Sequence, residues 1–407
     1  MEIKYIPRLA EKIIERQKTR KPVLMVTGPR QVGKTTMLKH ILRDGTYIRL
    51  DSPMVRATIE QAPNTFLREQ KRPCIIDEIQ KSPILFEYIK DIVDDDDATG
   101  QFYLTGSQSF RFMKGVTESL AGRVGVINVL GLSLREINGV PYNGVFKPTK
   151  EHIDAMANAK IDKILPIIHR GSFPELYKTE SDNNDWQDFY ASYVQTYIER
   201  DVRDLVEIHN LSAFTKFIKV CASITGGQLN YSTLAEYSGV DVTTAKRWIS
   251  ILETSGLIYL LQPYSNNLCK RLVKTPKLYF TDTGLACFLS GWNTPEQLYN
   301  GAMWGHIFET YVIGEIVKSY YNNGNIYPPL YYYRDANKNE IDLIIEDGET
   351  LHPVEIKAGD EPTKDAIKSF RLLENTAKKI GDGAVVCLSK YVLPLTENVR
   401  IIPVWFI

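Results

Sequence analysis

Three observations predict that this chain is an α/β protein built on a parallel sheet. Apolar stretches of strand length alternate with helical stretches up to about residue 136, a pattern typical of parallel sheets with helices on both faces. The segment 28–35 reads GPRQVGKT and follows the apolar stretch 23–26. Asp77 and Glu78 directly follow another apolar stretch. Strand, loop and acidic pair therefore occur in the order expected of a nucleotide-binding sheet.

The segment 28–35 matches the phosphate-binding pattern G-x-x-x-x-G-K-T. Its two glycines allow a tight turn in which successive backbone N–H groups face a triphosphate. We expect Lys34 to reach the outer phosphates of ATP and Thr35 to ligate Mg²⁺. A helix predicted at 34–40 would direct its positive N-terminal end at the same anion. The residues expected to contact the nucleotide are Gly28, Pro29, Arg30, Gln31, Val32, Gly33, Lys34, Thr35 and Thr36.

The acidic pair and the strand after it supply the expected hydrolytic groups. We expect Asp77 to hold the Mg²⁺ shell through water and Glu78 to orient or deprotonate the attacking water. The predicted strand 102–104 runs into the sequence TGSQ. Within it, Ser107 is the candidate sensor of the γ-phosphate. The sequence thus predicts Mg²⁺-dependent ATP hydrolysis.

These motifs, in this order, resemble a subgroup of bacterial and archaeal AAA-type ATPases. The matching segments are 28–35, 76–80, 104–108 and 119–124. The resemblance implies an arginine that completes an active site of the same or a neighbouring subunit, and Arg123 is the candidate. The alternative is an ordinary turn arginine before the predicted strand 124–129. Segments 171–175 and 193–201 resemble the uncharacterised module that commonly follows this ATPase, and the oligomeric state stays open.

The composition is that of an ordinary globular protein and excludes several classes. The 407 residues carry 49 basic and 49 acidic side chains, so no net charge attracts nucleic acid or a membrane. No apolar run approaches the about 20 residues of a membrane-spanning helix, and we expect no membrane partner. Five cysteines without a C-x-x-C pair are typical of reduced thiols. We therefore expect a cytoplasmic protein.

Length and loop composition predict several units. A domain usually has about 100–200 residues, so the chain is long enough for more than one. Glycine, proline and asparagine accumulate at 138–149, which predicts the end of the first unit there. The predicted units are an ATP-binding domain at 1–140, a helical region at 141–210, a winged-helix region at 211–300 and a C-terminal domain at 301–407.

Residues 229–261 predict a winged helix. A first helix around Leu234 is followed by Gly239, which allows a turn, and by a second helix at 243–253. Lys246 and Arg247 of the second helix are expected to point outward, where they could contact phosphates. Two basic residues form a small footprint, and contact with DNA and contact with a protein partner both stay open.

The last hundred residues contain a second chemical pattern. Glu309 lies in a predicted helix at 302–320, Asp342 in a predicted strand, and Glu355 and Lys357 on one face of the next strand, because strand side chains alternate. These residues resemble the restriction-endonuclease-like nuclease fold, although Ile341 stands where that motif often has proline. The resemblance implies that Glu309, Asp342 and Glu355 bind a divalent metal beside Lys357. The alternative is an inert domain of similar fold.

The expected protein is an ATP- and Mg²⁺-dependent AAA-type ATPase that acts with nucleic acid through a winged helix and a nuclease-like C-terminal domain. A second hypothesis is an ATP-dependent regulatory switch that binds a protein partner and has an inert C-terminal site. A P-loop kinase is a third, although no second substrate site is visible. Measuring ATPase rates with and without DNA or RNA would separate the first two.

Overall fold

The computed structural model, which describes residues 5–106, 119–159, 161, 163–178, 183–198, 211–265 and 275–407, begins with a parallel sheet. Its strands are β1 (Val23–Thr27), β2 (Thr46–Arg49), β3 (Cys74–Asp77), β4 (Phe102–Gly106) and β5 (Val124–Asn128). They lie in the order β2-β3-β4-β1-β5, and every pair is parallel. The predicted α/β class with a parallel sheet core is confirmed.

Helices cover both faces of this sheet. They are α1 (Glu11–Gln17), α2 (Lys34–Ile41), α3 (Pro53–Gln61), α4 (Pro63–Arg68) and α5 (Leu85–Asp95). On one face, Met25 and Leu104 pack in a core with Ile89 of α5. On the other, Leu24 packs in a core with Leu38 of α2. Neighbouring residues of a strand point to opposite faces, and helices cover both faces of this sheet. All five residues of β1 are therefore buried.

A helical region follows the sheet. Its helices are α6 (Leu134–Ile137), α7 (Lys150–Ala155), α8 (Ile164–Arg170) and α9 (Asn183–Tyr193), and α13 (Thr283–Ser290) packs against α8. Asp282 joins these elements. Its carboxylate accepts hydrogen bonds from the Ser172 N–H at 2.6 Å and the Tyr190 hydroxyl at 2.7 Å, and it caps α13 by accepting from the Leu285 N–H at 2.7 Å. One buried acid therefore satisfies donors from three parts of the chain.

The next helices are α10 (Leu211–Ser223), α11 (Tyr231–Ser238) and α12 (Val242–Thr254). Asn230 caps α11 and Asp241 caps α12, each accepting from a backbone N–H of the first turn, at 3.1 and 2.9 Å. Between α11 and α12, Gly239 has a φ of 70°, a left-handed conformation that favours glycine. The two helices predicted here are present, and the winged-helix assignment stays a prediction.

A second, mixed sheet contains the rest of the strands. They are β6 (Ile258–Pro263), β7 (Lys277–Phe280), β8 (Leu330–Arg334), β9 (Glu340–Asp347), β10 (Thr350–Ile356), β11 (Lys379–Ile380), β12 (Gly383–Cys387), β13 (Leu393–Pro394) and β14 (Val399–Pro403). The order is β13-β14-β12-β10-β9-β8-β6-β7, with β11 beside β10. Strand β6, at the end of the segment 229–261 that predicts a winged helix, pairs with β7 and with β8. The sheet thus contains strands from both sides of residue 301, where the last unit was predicted to begin.

Two helices precede β8, namely α14 (Pro295–Tyr299) and α15 (Trp304–Tyr321). The second of them connects the two halves of the chain. In α15, Glu315 accepts a hydrogen bond from the Leu134 N–H at 2.8 Å, and Lys318 donates to the Leu132 carbonyl at 2.9 Å. Leu132 and Leu134 follow the last strand of the first sheet. No helix in the described ranges is long and apolar enough to cross a membrane.

Candidate nucleotide site and C-terminal carboxylate cluster

The phosphate-binding loop lies between β1 and α2, and its backbone explains the two glycines. Gly28 has a φ of 140°, and a Cβ there would lie 1.9 Å from the Val129 carbonyl oxygen. Gly33 has a φ of 89° at the N-terminus of α2. Gln31 also takes a left-handed conformation, with a φ of 61°. The loop therefore has a compact shape that only small residues permit at its ends.

Lys34 is buried inside this loop. Its ammonium group donates to the Gly28 carbonyl at 2.9 Å and to the Pro29 carbonyl at 2.6 Å. The loop's own backbone thus holds the positive charge at the point where the sequence predicts phosphate binding.

Other loop residues are contacted by later parts of the chain. Pro29 packs against Gly256, where a Cβ would lie 2.9 Å from the proline ring. The Arg30 guanidinium lies over the Tyr197 ring, 5.6 Å from its centroid. The loop is therefore covered by the helical region and by the turn after α12.

Asp77 ends β3 and is held by three hydroxyl groups. Thr35 donates to Asp77 Oδ1 at 2.8 Å, Tyr47 donates to Oδ2 at 2.8 Å, and Thr105 also donates to Oδ1. Burial and the contact with Asp77 raise the pKa of Tyr47 above its usual value, so it stays a neutral donor. A hydroxyl and a carboxylate in contact are hard oxygen ligands of the kind that Mg²⁺ prefers. Thr35 and Asp77 therefore fit that ion.

Glu78, the second acid, has a left-handed backbone with a φ of 58°, which is uncommon for a residue with a side chain. Its carboxylate accepts a hydrogen bond from the Gln80 side chain, and its N–H donates to the Thr105 hydroxyl at 3.3 Å. Thr105 thus contacts both acids. The sequence interpretation chose Ser107, two residues further on, which lies outside the described residues.

Arg123 lies on the surface, before β5. It forms a two-point ion pair with Asp94 of α5, with one contact at 2.8 Å, and donates to the Ala121 carbonyl at 3.0 Å. These contacts involve neither the phosphate loop nor the acidic pair. Within one chain, Arg123 has the surroundings of a turn arginine.

A cavity of about 340 Å³ opens beside the phosphate loop. Its walls come from the N-terminal segment, the loop and α2, the stretch after β5, and the turn at 174–178: Tyr5, Ile6, Arg8, Gly33, Thr36, Leu132, Pro174 and Lys178. Thr36, predicted to contact the nucleotide, thus faces this cavity. The cavity adjoins the phosphate loop and has both apolar and cationic walls.

Arg8, which the sequence interpretation missed, supports both the loop and the cavity. Its buried guanidinium donates to the Val32 carbonyl at 2.7 Å, the Leu130 carbonyl at 2.8 Å and Glu136 Oε1 at 3.0 Å. Val32 belongs to the phosphate loop and Glu136 to α6. The only local signal is an arginine next to the apolar stripe of α1, and that signal does not indicate a partner 128 residues away.

In the C-terminal sheet, Asp342 of β9 and Glu355 of β10 lie together, with Lys357 directly after β10. Asp342 Oδ2 accepts from the Ile356 N–H at 2.8 Å, and Lys357 donates to Glu355 Oε1 at 2.6 Å. Burial, followed by the charge of Glu309, raises the pKa of Asp342, while burial and Asp342 raise the pKa of Glu355. The carboxylates are therefore close enough to repel one another.

Glu309 of α15 is engaged differently. Its Oε1 accepts from the Lys277 ammonium at 2.9 Å and from the Tyr279 hydroxyl at 2.6 Å. Lys277 also pairs with Glu340 at 2.5 Å. Burial favours neutral Lys277, but Glu309, Asp342 and Glu340 outweigh it and raise the lysine pKa.

The predicted three-carboxylate metal site stays a prediction. Among the residues that the structure describes, no group of three or more His, Cys, Asp or Glu side chains is arranged to hold a metal ion. The Lys277 ammonium pairs with Glu309 at 2.9 Å and supplies a positive charge beside it. Asp342 and Glu355 do lie side by side. Glu355 Oε2 is buried and has no hydrogen-bond partner among the described residues, and an oxygen of this kind fits a cation.

Comparison with known families bears on the first sheet. Residues 20–138 match the AAA domain family. Downstream of this AAA domain, residues 161–296 match a domain of unknown function, DUF8612, and residues 304–407 match another, DUF4143. Together with the parallel sheet, the match supports a P-loop ATPase domain at the start of the chain.

Similar whole chains were also found. An uncharacterized protein of Mycobacterium tuberculosis and one of Mycobacterium bovis are each 27% identical over 387 residues, which cover 94% of this chain and 80% of theirs. Among solved structures, a Walker-type ATPase of Pyrococcus abyssi has a TM-score of 0.40 and 14% identity and covers 71% of this chain and 99% of its own. The RuvB Holliday junction branch migration motor of Thermotoga maritima has a TM-score of 0.29 and 18% identity, and covers 62% and 85%.

Proposed function

We propose that this protein is a Mg²⁺-dependent ATPase whose site lies at the carboxyl end of the first sheet. The observation that carries the proposal is the contact between Thr35 Oγ1 and Asp77 Oδ1 at 2.8 Å, beside a closed phosphate loop. Thr35 starts the helix after the loop and Asp77 ends the neighbouring strand. Their contact brings the two halves of the predicted site together.

Each residue of the site has a different proposed chemical role. Mg²⁺ would be held by Thr35 directly and by Asp77 through water, and it would neutralise charge on the phosphates. Lys34 places a fixed positive charge within the loop. Glu78 is the candidate base that orients the attacking water. Thr105 fixes both acids relative to each other, since its hydroxyl donates to Asp77 and accepts from the Glu78 N–H.

We place the base and ribose in the cavity beside Gly33 and Thr36, which has a volume of about 340 Å³. Tyr5 and Pro174 supply apolar surface, while Lys178 supplies a donor for polar groups of the nucleotide. Nucleotide bases bind in mostly apolar pockets with few polar contacts. The cavity is lined both by the start of the chain and by the turn at 174–178, so a bound nucleotide would contact both.

The test compares two variants of the full chain. Lys34→Ala should abolish binding of a fluorescent ATP analogue, because it removes the loop charge. Glu78→Gln should retain that binding and lose phosphate release, because it removes only the base. Equal loss of binding in both variants would contradict these roles.

A second candidate function concerns nucleic acid. Asp342 near the start of β9 lies beside Glu355 near the end of β10, and Lys357 donates to Glu355. We propose that the chain acts on or with DNA or RNA through these residues and through Lys246 and Arg247 of α12. A protein-binding switch with an inert C-terminal site is the alternative.

Cleavage assays with single- and double-stranded DNA and RNA, in Mg²⁺ or Mn²⁺, test the second candidate. Asp342→Ala is the control, and cleavage that survives it would come from a contaminant. ATPase rates with and without each nucleic acid complete the test. Stimulation without cleavage would favour binding alone, and neither effect would favour the protein-partner switch. Mixing intact and variant chains would show whether the ATPase acts as an oligomer.

A further inference from the structure

A second cavity, of about 650 Å³, is lined by residues of both sheets. Pockets for ligands usually have about 300–1,000 Å³, so this one is large enough for several residues of a peptide. All three regions that match families, 20–138, 161–296 and 304–407, contribute to its walls. We call it the inter-sheet cavity, and its walls include Gly28, Pro29, Val126, Glu253, Tyr259 and Tyr331.

Glu253, in the last turn of α12, is the only charged side chain among the described residues that line the inter-sheet cavity. Part of the residue is exposed to solvent, but the protein around its carboxyl group displaces water and raises the pKa of that group. The C-terminal end of a helix also disfavours a negative charge. Within the described ranges, neither a cation nor a hydrogen-bond donor contacts Glu253. A cation from a ligand would therefore stabilise this carboxylate.

Three tyrosines line the same cavity, namely Tyr259 of β6, Tyr321 at the end of α15 and Tyr331 of β8. Burial raises the pKa of Tyr259, and the neighbouring Tyr321, Tyr331 and Glu253 raise it further. Tyr259 is thus close to the carboxylate and to both other rings. The faces of tyrosine rings attract ammonium and guanidinium groups, whereas Glu253 repels a phosphate. The cavity therefore favours a cationic side chain and disfavours nucleic acid.

The edge of the first sheet also lies at this cavity. Among the described strands, β5 pairs only with β1 and is the last strand of its sheet. The Val129 N–H donates to the Thr27 carbonyl at 2.8 Å. Because the backbone groups of alternate residues in a parallel pair point to alternate sides, those of Val126 point away from β1. Val126 lines the cavity, and an edge of this kind can pair with an extended peptide.

We propose that the inter-sheet cavity binds an extended segment of a partner protein, which pairs with the edge of β5 and places an arginine or lysine side chain against Glu253. Main-chain hydrogen bonds would supply affinity, and the basic side chain would supply specificity. Because Gly28 and Pro29 line the cavity, the bound segment contacts the phosphate loop. Its binding rests on the protein-partner alternative given above and requires neither ATP nor a metal, so its failure and a failure of ATP hydrolysis are measured separately.

The first test selects peptides from a random heptapeptide display library on the full chain without nucleotide. Peptides with arginine or lysine at one fixed position should be enriched on the parent protein and lost on Glu253→Gln. Glu236→Gln, at an exposed position of α11, is the matched control and should select the same peptides as the parent. Enrichment of peptides without a basic residue, no enrichment on the parent, or the same basic peptides on Glu253→Gln would each overturn the inference.

The second test titrates one selected peptide, labelled with a fluorophore, by fluorescence anisotropy. Glu253→Gln should lower its affinity by about tenfold, the scale of a lost hydrogen bond to a charged group. Glu253→Lys should instead prefer the peptide in which glutamate replaces the basic residue. An unchanged preference in Glu253→Lys would overturn the contact with Glu253.

The third test examines the pairing with β5 and needs no variant of the protein. Methylation of the backbone N–H groups along one edge of the selected peptide should lower its affinity by about tenfold, because it removes the donors to β5. Methylation of the alternate N–H groups, which face away from β5, is the matched control and should have little effect. Equal affinities of the two methylated peptides would overturn the strand pairing.

Discussion

At the scale of single residues, the candidate nucleotide site contains a threonine hydroxyl that was not among the predicted site residues. The Thr105 hydroxyl donates to the Asp77 carboxylate and accepts from the Glu78 N–H at 3.3 Å. It comes from β4, whereas both acids follow β3. Since β3 and β4 are adjacent parallel strands, their carboxyl ends meet at one edge, and the threonine sets the spacing between metal-binding acid and base.

We therefore predict that Thr105→Val lowers ATP turnover by about tenfold to a hundredfold, the cost of a small misplacement of catalytic groups. ATP binding should be retained, because the loop and Lys34 are untouched. Single-turnover phosphate release and analogue binding measure the two effects. Thr58→Val, at an exposed position of α3, is the matched control. Turnover at the parent rate in Thr105→Val would show that its hydroxyl does not position the acids.

Arg123 supplies the second prediction at this scale. Its guanidinium lies at the surface and is paired with Asp94, so the role that we predict for it is towards the nucleotide of a neighbouring subunit. We predict that Arg123→Ala keeps ATP binding and lowers turnover by roughly 10³, the scale of arginine fingers. Mixing it with Glu78→Gln should restore activity. Arg68→Ala, which removes a surface pair with Asp95 at 2.5 Å, should change nothing. Failure to complement would assign Arg123 a structural role.

At the scale of elements, α15 is hydrogen-bonded to the segment that follows the first sheet. Glu315 and Lys318 form a buried pair at 2.8 Å, with 3% and 5% of their side chains exposed. Glu315 satisfies the Leu134 N–H at the start of α6, and Lys318 satisfies the Leu132 carbonyl. Both charges are thus fully partnered, which is the condition for burying an ion pair at acceptable cost.

Glu315→Ala should destabilise the protein by about 3–5 kcal/mol, because it leaves the Lys318 ammonium buried without its carboxylate. Urea unfolding of the variant and the parent gives the difference. The control is Lys378→Ala, which removes a pair with Glu346 at 2.8 Å, where the two side chains are 24% and 15% exposed. More exposed pairs contribute at most about 1 kcal/mol. A similar small loss in Glu315→Ala would mean that α15 does not join the two halves through this pair.

At the scale of the whole molecule, the end of the chain is tied back to its middle. His152 of α7 shares a hydrogen bond with the Phe406 carbonyl at 2.6 Å, and Arg135 of α6 donates to the Ile407 carbonyl at 2.8 Å. Burial lowers the pKa of His152 to about 4. A neutral histidine therefore belongs to the folded state, and its protonation opposes folding.

This gives a pH dependence with a defined sign. The unfolded chain binds a proton at His152 below about pH 6.5, whereas the folded chain does so only near pH 4. Stability should therefore fall as the pH drops from about 6.5 to 4, by up to about 3 kcal/mol from this group. Urea unfolding across that range measures it. His152→Gln should reduce the slope, and the same change at exposed His306 should not. An unchanged slope in His152→Gln would assign the acid sensitivity to other groups.

Local patterns in the sequence determined the phosphate loop and much of the secondary structure. The phosphate loop needs glycines where φ is positive, at Gly28 and Gly33, and a lysine and threonine immediately after, so the whole loop can be read from eight neighbouring residues. Apolar stretches likewise predicted strands at 23–26, 102–104 and 124–129, which correspond to β1, β4 and β5. The predicted helix at 302–320 corresponds to α15 at Trp304–Tyr321.

Only the tertiary structure decided which side chains meet. Arg8 contacts Glu136 across 128 positions, Thr105 contacts Asp77 across 28, and Lys277 contacts Glu309 across 32. The sequence placed Glu309 in a metal site by element order, but could not show that β7 delivers a lysine to it. Backbone dihedrals and residue periodicity act over a few neighbouring residues and leave a local signature. The partner of a buried charge depends on strand order and on the path of the whole chain, for which no local signature exists.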